Sequence, residues 1–280
     1  MKTISHIKTV KKILDLVRSG RKIGFVPTMG AFHEGHLSLM RKAKVSGDYL
    51  VVSLFVNPLQ FGPKEDFSVY PRDILSDRRE GRKIGVDLFW SPSTEELFPF
   101  PYHTFVEVEA LSRRWEGTSR PGHFKGVATI VAKLLQVVRP DRLYLGRKDF
   151  QQARVIQQMI CDLHFKTSVR LLPTVRESDG LAMSSRNGRL SSADRKAAPI
   201  LYRALQAARK MIRQGERESK VILAATDRFI RSEPRARIDY LVLCDPGTLE
   251  PIDRLEKRAV FLAAIKIGTV RLIDNIIVDI

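Results

Sequence analysis

The sequence predicts an α/β fold: a Rossmann-like, doubly wound parallel sheet with a smaller C-terminal α+β domain. Short apolar runs alternate with helical patterns along the first two thirds of the chain, as in proteins whose parallel strands are covered on both faces. Near residue 187 the pattern changes to two amphipathic helices followed by strand-like runs. The 280 residues are enough for two domains, predicted at 1–186 and 187–280.

Hydrophobic spacing places the elements of the first domain. Apolar residues at helical intervals predict an amphipathic helix over 4–19, and Pro140 ends a buried helix. Apolar runs predict strands at 22–27, 48–56, 86–90, 141–146 and 167–175, separated by helices at 35–46, 73–84, 126–138 and 149–163.

The second domain begins with helices. Ser191 or Ser192 can N-cap a long helix through about Gln214, because a hydroxyl there accepts an N–H of the first turn. A second helix is predicted over 217–231. Strands are then predicted at 237–243, 258–265 and 270–278.

The chain is strongly basic, with 48 Lys and Arg against 31 Asp and Glu and a net charge of +17. Such a charge is compatible with RNA or another anion as partner. Basic residues are spread over both domains without a tail or interleaved aromatic residues, which favours a generally basic surface, so nucleic acid is not an expected partner.

The cysteines and the hydropathy of the chain indicate the cellular compartment in which the protein is expected. Cys161 and Cys244 lie far apart and form no Cys-x-x-Cys pair, which argues against a disulfide framework or a cysteine zinc site. Neither a signal peptide nor a transmembrane span is recognisable. A cytoplasmic protein without membrane association is therefore expected.

Residues 27–36 form the most informative motif, at the end of the first predicted strand. Gly30 permits a tight turn, and His33 and His36 share one face of the following helix. A helix N-terminus favours phosphate, and two imidazoles there can donate hydrogen bonds to phosphate oxygens. The two histidines could instead be a chance surface pair or two ligands of a metal. Their position between a strand, a glycine turn and a helix favours phosphate binding. The Walker A motif is absent.

Two more polar motifs follow predicted strands, where the ligand crevice of a doubly wound sheet lies. Asn57 and Gln60 are amides able to hold hydroxyl and carboxylate groups, although a turn with solvated amides is the alternative. Lys148 offers a cation for phosphate. Asp149 could cap a helix or hold a ribose hydroxyl or Mg²⁺, and Gln152 lies one turn further on.

Two basic segments lie outside these motifs. Residues 183–186 offer two hydroxyls and the Arg186 guanidinium, a suitable set for polyphosphate, or form a flexible interdomain loop with a solvated arginine. Arg120, His123 and Lys125 add positive charge before the helix at 126. They are compatible with a lid, a substrate wall or a dimer contact.

Taken in order, these segments resemble the pantothenate synthetase (pantoate–β-alanine ligase) family along nearly the whole chain. The resemblance rests on PTMGAFHEGHLSL, VVSLFVNPLQFGPKEDFSVYPRD, RPGHFKGVATIVAKL, GRKDFQQ, PTVRESDGLAMSSRN, RIDYL and RLIDN. The His-x-Gly-His motif is shared with class I aminoacyl-tRNA synthetases, and the Met-Ser-Ser-Arg loop is similar to their Lys-Met-Ser-Lys-Ser loop.

The resemblance implies an activity and partners. It implies an ATP-dependent, Mg²⁺-requiring condensation of (R)-pantoate with β-alanine through pantoyl adenylate, which releases pyrophosphate and then AMP. It also implies a homodimer. A nucleotidyltransferase of the same superfamily that acts on another small acid is the alternative, and an RNA-binding protein is a weaker one.

The resemblance also implies roles for individual residues. His36 would be the proton donor and His33 a phosphate partner, with Lys148 and Arg186 completing the catalytic set. Pantoate would contact Gln60, which also borders the β-alanine site, together with Gln152 and Asn57. ATP would contact Met29, Gly30, Ala31, Phe32, His33, Glu34, Gly35, His36, Gly146, Arg147, Lys148, Asp149, Val175, Met183, Ser184, Ser185 and Arg186.

Asp77 and Arg147 carry two further expectations. Asp77 is a candidate outer-sphere partner of Mg²⁺, and no residue is predicted as a direct metal ligand. Arg147 stands where the family usually has Glu or Gln. If its side chain reaches the nucleotide, the added positive charge would tighten phosphate or AMP binding.

Overall fold

The computed structural model describes residues 1–63, 65 and 67–280, so Lys64 and Asp66 of the motif that begins VVSLF lie outside the described residues. Contacts divide the chain into two units. Unit 1 comprises Met1–Arg147 and Gln151–Pro173, and unit 2 comprises Lys148–Phe150 and Thr174–Ile280.

The division falls after residue 173, whereas the sequence predicted a boundary after residue 186. Residues 174–186 group with unit 2 because their polar and packing contacts lie there. Arg176 forms an ion pair with Asp274, and the backbone at Gly180 lies against the ring of Tyr202.

Unit 1 is built on a six-stranded sheet whose neighbouring strands are all parallel, which confirms the predicted doubly wound class. The strand order is β1-β4-β3-β2-β5-β6. The bounds are β1 Lys2–Ile4, β2 Ile23–Thr28, β3 Tyr49–Leu54, β4 Leu88–Trp90, β5 Arg142–Gly146 and β6 Ser168–Leu172. The order reverses direction between β2 and β5, so the carboxyl ends of these strands mark the expected ligand crevice.

The helices of unit 1 confirm most of the predicted ones to within a few residues. Their bounds are α1 Ile7–Val17, α2 Glu34–Val45, α3 Ile74–Ile84, α4 Thr94–Leu97, α5 Glu109–Ser112, α6 Glu116–Ser119, α7 His123–Val138 and α8 Phe150–Asp162. The predicted helix over 4–19 is wrong at its start. Ile4 belongs to β1, whose backbone pairs with β4 through Ile4 and Trp90.

Unit 2 contains α9 Ser192–Ala197, α10 Ile200–Arg213, α11 Ser219–Arg231, β7 Ala236–Cys244, β8 Arg258–Ile267 and β9 Val270–Asp279. The strands form an antiparallel sheet in the order β7-β8-β9, as expected for an α+β unit. Ser191 caps α9. The predicted single helix to Gln214 is wrong, because Pro199 lacks the N–H that a helix interior needs, and α9 and α10 are separate.

Buried side chains fill the interior of each unit. In unit 1, the strand residues Ile23, Phe25, Val51 and Phe89 are fully buried, which accounts for the mostly apolar runs of these strands. In unit 2, one face of α10 packs with the sheet around Phe261. Within the described part of the chain, the helices are too short or too polar to cross a membrane.

Candidate active site

The β2–α2 turn, Thr28–His33, carries the first predicted motif at the carboxyl end of the central strand. Gly30 has φ of 92° and Ala31 has φ of 52°, so two successive residues are left-handed. The Thr28 Oγ1 accepts a 3.3 Å hydrogen bond from the Gly30 N–H. A left-handed conformation is unfavourable for alanine, so the turn needs external support.

Asp77 on α3 supplies that support. Its Oδ2 accepts a 2.9 Å hydrogen bond from the Ala31 N–H, and its Oδ1 accepts a 2.7 Å bond from the Phe32 N–H. The side chain is buried, and burial raises the pKa of Asp77, although the two N–H donors act in the opposite direction. Both carboxylate oxygens bond to the turn, so Asp77 positions the backbone. Its role toward Mg²⁺ stays a prediction.

His33 and His36 are bonded to each other's backbone at the start of α2. His33 is the N-cap, and its Nδ1 accepts a 3.1 Å hydrogen bond from the Gly35 N–H. The His36 Nδ1 accepts from the His33 N–H at 3.4 Å. A ring nitrogen that accepts carries no proton, so each neutral imidazole has its proton on Nε2. The ring centroids lie 4.1 Å apart, which places two donors at the helix N-terminus.

The next loop, after β3, is in direct contact with this turn. The strands pair in register up to Thr28 and Leu54, so their loops leave the sheet side by side. The Gln60 Nε2 lies 3.0 Å from the Met29 Sδ, a donor to a weak sulfur acceptor. The first predicted motif and the amide motif are therefore in contact within unit 1.

Asn57 holds Gln60 in place. The Asn57 Nδ2 donates to the Gln60 Oε1 and to the Gly126 carbonyl, both at 3.1 Å, and its Oδ1 accepts from the Leu59 N–H at 3.3 Å. Asn57 is fully buried. These bonds give Asn57 a positioning part, and its predicted direct contact with pantoate stays a prediction.

Basic residues at the start of α7 and just before it bond to the same loop. The His123 Nδ1 donates to the Gln60 carbonyl at 2.8 Å, and Arg120 Nη1 lies 3.0 Å from the other ring nitrogen. Arg120 also binds Glu65 through two bonds of 2.8 and 2.6 Å. Both side chains brace the Gln60 backbone, since Arg120 Nη2 also lies 3.4 Å from the Gln60 carbonyl, and the choice between a lid, a substrate wall and a dimer contact stays open.

The loop after β5 continues into α8, where two adjacent glutamines differ in burial. Gln151 is buried and donates to the Leu111 and Arg114 carbonyls at 2.8 and 2.7 Å. Gln152 is half-buried, so its amide remains reachable by a ligand. Gly146 ends β5 at the reversal of strand order, and Arg147 follows it in unit 1.

The remaining predicted ATP contacts belong to unit 2. The Lys148 carbonyl accepts a 2.9 Å hydrogen bond from Asn275 Nδ2, and the Lys148 Nζ lies 3.6 Å from the Asp149 Oδ1. The Met183 N–H donates to the Val175 carbonyl at 3.0 Å. Ser184, followed by Ser185, begins a 3₁₀ turn, and its Oγ accepts from the Arg186 N–H at 3.3 Å.

Two adjacent residues of β9 bond to the segment that contains Arg176 and to the segment that contains Lys148. Asp274 accepts two hydrogen bonds from Arg176, of 2.6 and 2.9 Å, while Asn275 holds Lys148. Sequence reasoning assigned no role to Arg176, Asp274 or Asn275. The signal that could have found them was their position inside PTVRESDG and RLIDN, two of the segments that carry the resemblance.

The side chains of the described residues also bear on the predicted Mg²⁺. Among residues 1–63, 65 and 67–280, no group of three or more His, Cys, Asp or Glu side chains could hold a metal ion. Mg²⁺ is often bound mainly through substrate phosphates and water. The Mg²⁺ requirement stays a prediction.

The sheet order, the turn at the end of β2 and the histidine-capped helix define a Rossmann-like nucleotide-binding protein of the His-x-Gly-His type. A family model described as pantoate-beta-alanine ligase matches residues 2–277. The chain belongs to this family.

Individual relatives match this chain over nearly their full length. The chain is 46% identical to a pantothenate synthetase of Moorella thermoacetica, over 100% of this chain and 99% of that protein. A crystal structure of pantothenate synthetase from Thermus thermophilus is 45% identical, with a TM-score of 0.94 and 99% of each chain covered. A pantoate-beta-alanine ligase from Francisella tularensis, complexed with "Beta-gamma ATP" and β-alanine, is 35% identical with a TM-score of 0.80, covering 99% of this chain and 97% of that one.

Proposed function

We propose that the chain catalyses the ATP-dependent condensation of (R)-pantoate with β-alanine to pantothenate, through pantoyl adenylate. The observation that carries the proposal is the contact between Met29 and Gln60. It joins the turn at which a helix N-terminus can receive phosphate to a buried amide that can hold a small carboxylic acid. Both substrates of an adenylation reaction would thus meet at one edge of the sheet.

In the first step, a pantoate carboxylate oxygen attacks the α-phosphorus of ATP, and the bond to pyrophosphate breaks. Negative charge accumulates on the phosphate oxygens as the fifth bond forms. The Nε2–H groups of His33 and His36 would donate to these oxygens, with the α2 dipole behind them. Asp77 contributes by fixing the turn that carries His33, so little reorganisation is needed during the reaction.

In the second step, the β-alanine amine attacks the acyl carbon of pantoyl adenylate. The acyl–oxygen bond to AMP breaks, the amine loses a proton and the amide forms. This route needs no covalent bond to the protein, so catalysis would rest on positioning by Gln60 and Gln152 and on charge stabilisation.

The family resemblance adds further residues to the proposal. The Lys148 ammonium and the Arg186 guanidinium would neutralise phosphate charge, and the Ser184 and Ser185 hydroxyls would donate to the same group. Gly146, Arg147, Asp149 and Val175 would contact the adenosine part. Mg²⁺, when bound to the ATP phosphates, would reduce the charge on the leaving pyrophosphate.

The test is the substrate dependence of product formation. With Mg²⁺ and ATP, AMP and pyrophosphate should form only when both pantoate and β-alanine are present, and pantoate alone should support pyrophosphate exchange into ATP. A folded sample that does neither would rule out the ligase. Exchange with another small acid, but not with pantoate, would favour the alternative nucleotidyltransferase.

His36→Ala tests the assignment of the proton donor. The variant should lose most adenylation while its circular dichroism spectrum stays unchanged, since the ring is only half-buried. Near-normal turnover would remove His36 from the mechanism. We also propose a cytoplasmic homodimer, which the family resemblance supports and which sedimentation at several protein concentrations would test.

A further inference from the structure

A cleft of about 690 Å³ opens in unit 1 where β2, β5 and β6 begin. The β2–α2 turn lies at the other end of β2. A strand of six residues at about 3.3 Å each separates the two by roughly 20 Å. The cleft is therefore distinct from the proposed catalytic site, and neither the predicted site residues nor the proposed mechanism uses it.

Positive charge dominates the cleft. It is bordered by Arg18, Arg21, Lys22, Arg139, Lys166 and His164, against one acidic residue, Asp141. The Asp141 Oδ2 accepts a 2.7 Å hydrogen bond from the Ile23 N–H, so this carboxylate already has a structural part. Among the described residues, Lys22 and Lys166 have no hydrogen-bond or ion-pair partner for their ammonium groups.

Two guanidiniums are held close together at one wall. Arg18 Nη2 donates to the Arg139 carbonyl at 3.0 Å, and Asp15 pairs with both arginines. Burial, and then the positive charge of Arg139, lower the pKa of Arg18. Asp15 and Asp141 act on Arg18 in the opposite direction, but the cations that border the cleft outnumber these two carboxylates, an excess that a bound anion would balance.

Two helix ends that border the cleft place basic or titratable residues where glycine is favoured. Arg139 follows α7 with φ of 41°, and His164 follows α8 with φ of 53°. Glycine adopts such left-handed helix ends with less strain. The Arg139 N–H bonds to the Leu135 carbonyl and the His164 N–H to the Cys161 carbonyl, so both residues end their helices and lie in the lining of the cleft.

The cleft also has an apolar part. Leu135, Pro140, Leu163 and Phe165 line it, and Leu163 is half exposed at 51%. Ligand sites typically combine an apolar lining with a few convergent polar groups in a volume of about 300–1,000 Å³. The lining therefore suits a ligand with a charged group and a carbon body rather than a simple ion.

We propose that this cleft binds a small organic phosphate with an apolar body, at a second site remote from catalysis. A phosphate monoester carries about two negative charges at neutral pH and accepts hydrogen bonds from several cations at once. This inference goes beyond the proposed ligase and does not depend on it.

The experiment is a calorimetric titration with 1-naphthyl phosphate, in the presence of a nonhydrolysable ATP analogue that fills the catalytic site. Wild-type protein should show saturable binding that weakens between about 50 and about 200 mM salt, as charge contacts do. Inorganic phosphate should bind more weakly, and 1-naphthol should not bind detectably. The double substitution Lys22→Ser/Lys166→Ser should weaken 1-naphthyl phosphate binding by roughly tenfold or more.

The matched control is Lys8→Ser/Lys11→Ser, which removes the same charge from exposed positions of α1 outside the cleft. It should bind 1-naphthyl phosphate like the wild type, and both double variants should keep wild-type turnover. Equal loss of binding in the control would show a general charge effect and overturn the site. Absence of saturable binding in the presence of the ATP analogue, including binding that is seen only without the analogue, would overturn it as well.

Discussion

The Asp77 Oδ1 accepts a 2.7 Å hydrogen bond from the Phe32 N–H, joining α3 to a turn 45 positions earlier in the chain. Together with the bond from Ala31, it makes this buried carboxylate the support of the strained β2–α2 turn. An aspartate at this position could hold the turn or bind a metal. The two hydrogen bonds support the first function, and the two functions can be tested separately.

Asp77→Asn should lower the rate of adenylation. The amide presents an NH₂ group to one of the two backbone donors, and a lost bond to a buried charged acceptor costs about 1.5–3 kcal/mol, or roughly tenfold or more in kcat/KM for ATP. Pyrophosphate exchange at varied ATP measures it. The matched control is Asp73→Asn, which keeps a residue type able to N-cap α3.

The Mg²⁺ dependence distinguishes the two functions of Asp77. If Asp77 holds the turn, the variant needs the same Mg²⁺ concentration for half-maximal activity as the wild type. A marked increase in that concentration, with KM for ATP unchanged, would instead identify Asp77 as a partner of the metal.

The stability of the protein should depend on pH through the same carboxyl. Because burial raises its pKa in the folded state, the folded chain binds this proton more tightly than the unfolded chain. Its contribution is therefore most favourable below the ordinary aspartate pKa of about 4 and declines as pH rises through the higher folded pKa. Urea denaturation should show wild type losing stability relative to Asp77→Asn across that window. A relative gain would mean that the two N–H donors outweigh burial.

Local patterns predicted the central strands well, because Ile23–Val26 and Leu50–Leu54 are buried and, apart from Ser53, carry no polar side chain. They failed at β1, where Ile4 continued the helical spacing of α1 and nothing local revealed its pairing with Trp90. Pro199 is a visible signal against a long helix, but the apolar periodicity of a helix continues on both sides of it.

The candidate site shows the same limit. The spacing of His33 and His36 and the glycine before them are local, and they predicted a phosphate site. Asp77 lies in a helix that reads as a charged surface helix, and the N–H groups that its carboxylate binds are distant in sequence. Likewise, no local pattern joins Arg120 to Glu65, because that pair depends on two loops meeting in space.

His33 has two separable functions, an N-cap and an imidazole donor. His33→Ala should lose both, with a decrease of about 1 kcal/mol in stability, whereas His33→Asn keeps a capping side chain. Both variants should lose adenylation activity, since neither has an Nε2–H to stabilise charge on phosphate. Thermal melting and pyrophosphate exchange measure the two effects. Full activity in His33→Asn would assign only the capping function to His33.

Two aspartates of β9 provide a matched pair for the stability of unit 2. Asp274 is buried, and its loss in Asp274→Ala leaves Arg176 unpaired with 18% of its side chain exposed, which should cost roughly 3 kcal/mol. Asp279 pairs with Arg258 in solvent, with side chains 66% and 60% exposed, so Asp279→Ala should cost less than about 1 kcal/mol. Chemical denaturation compares them, and equal losses would contradict the structural role of Asp274.

Gly126 of α7 should control the position of Gln60. A Cβ at residue 126 would lie 2.1 Å from the Leu59 carbonyl oxygen and 2.7 Å from the Gln60 nitrogen, both backbone atoms that must move. Because the Gly126 carbonyl also accepts from Asn57, Gly126→Ala should displace the whole amide loop. Overpacking of this kind costs about 1–3 kcal/mol. In steady-state kinetics KM for pantoate should rise more than KM for ATP, while Gly20→Ala, which meets no atom within 4 Å, should leave both unchanged. An equal rise in both constants would mean that the β2–α2 turn moves with the loop, since Gln60 contacts Met29 directly.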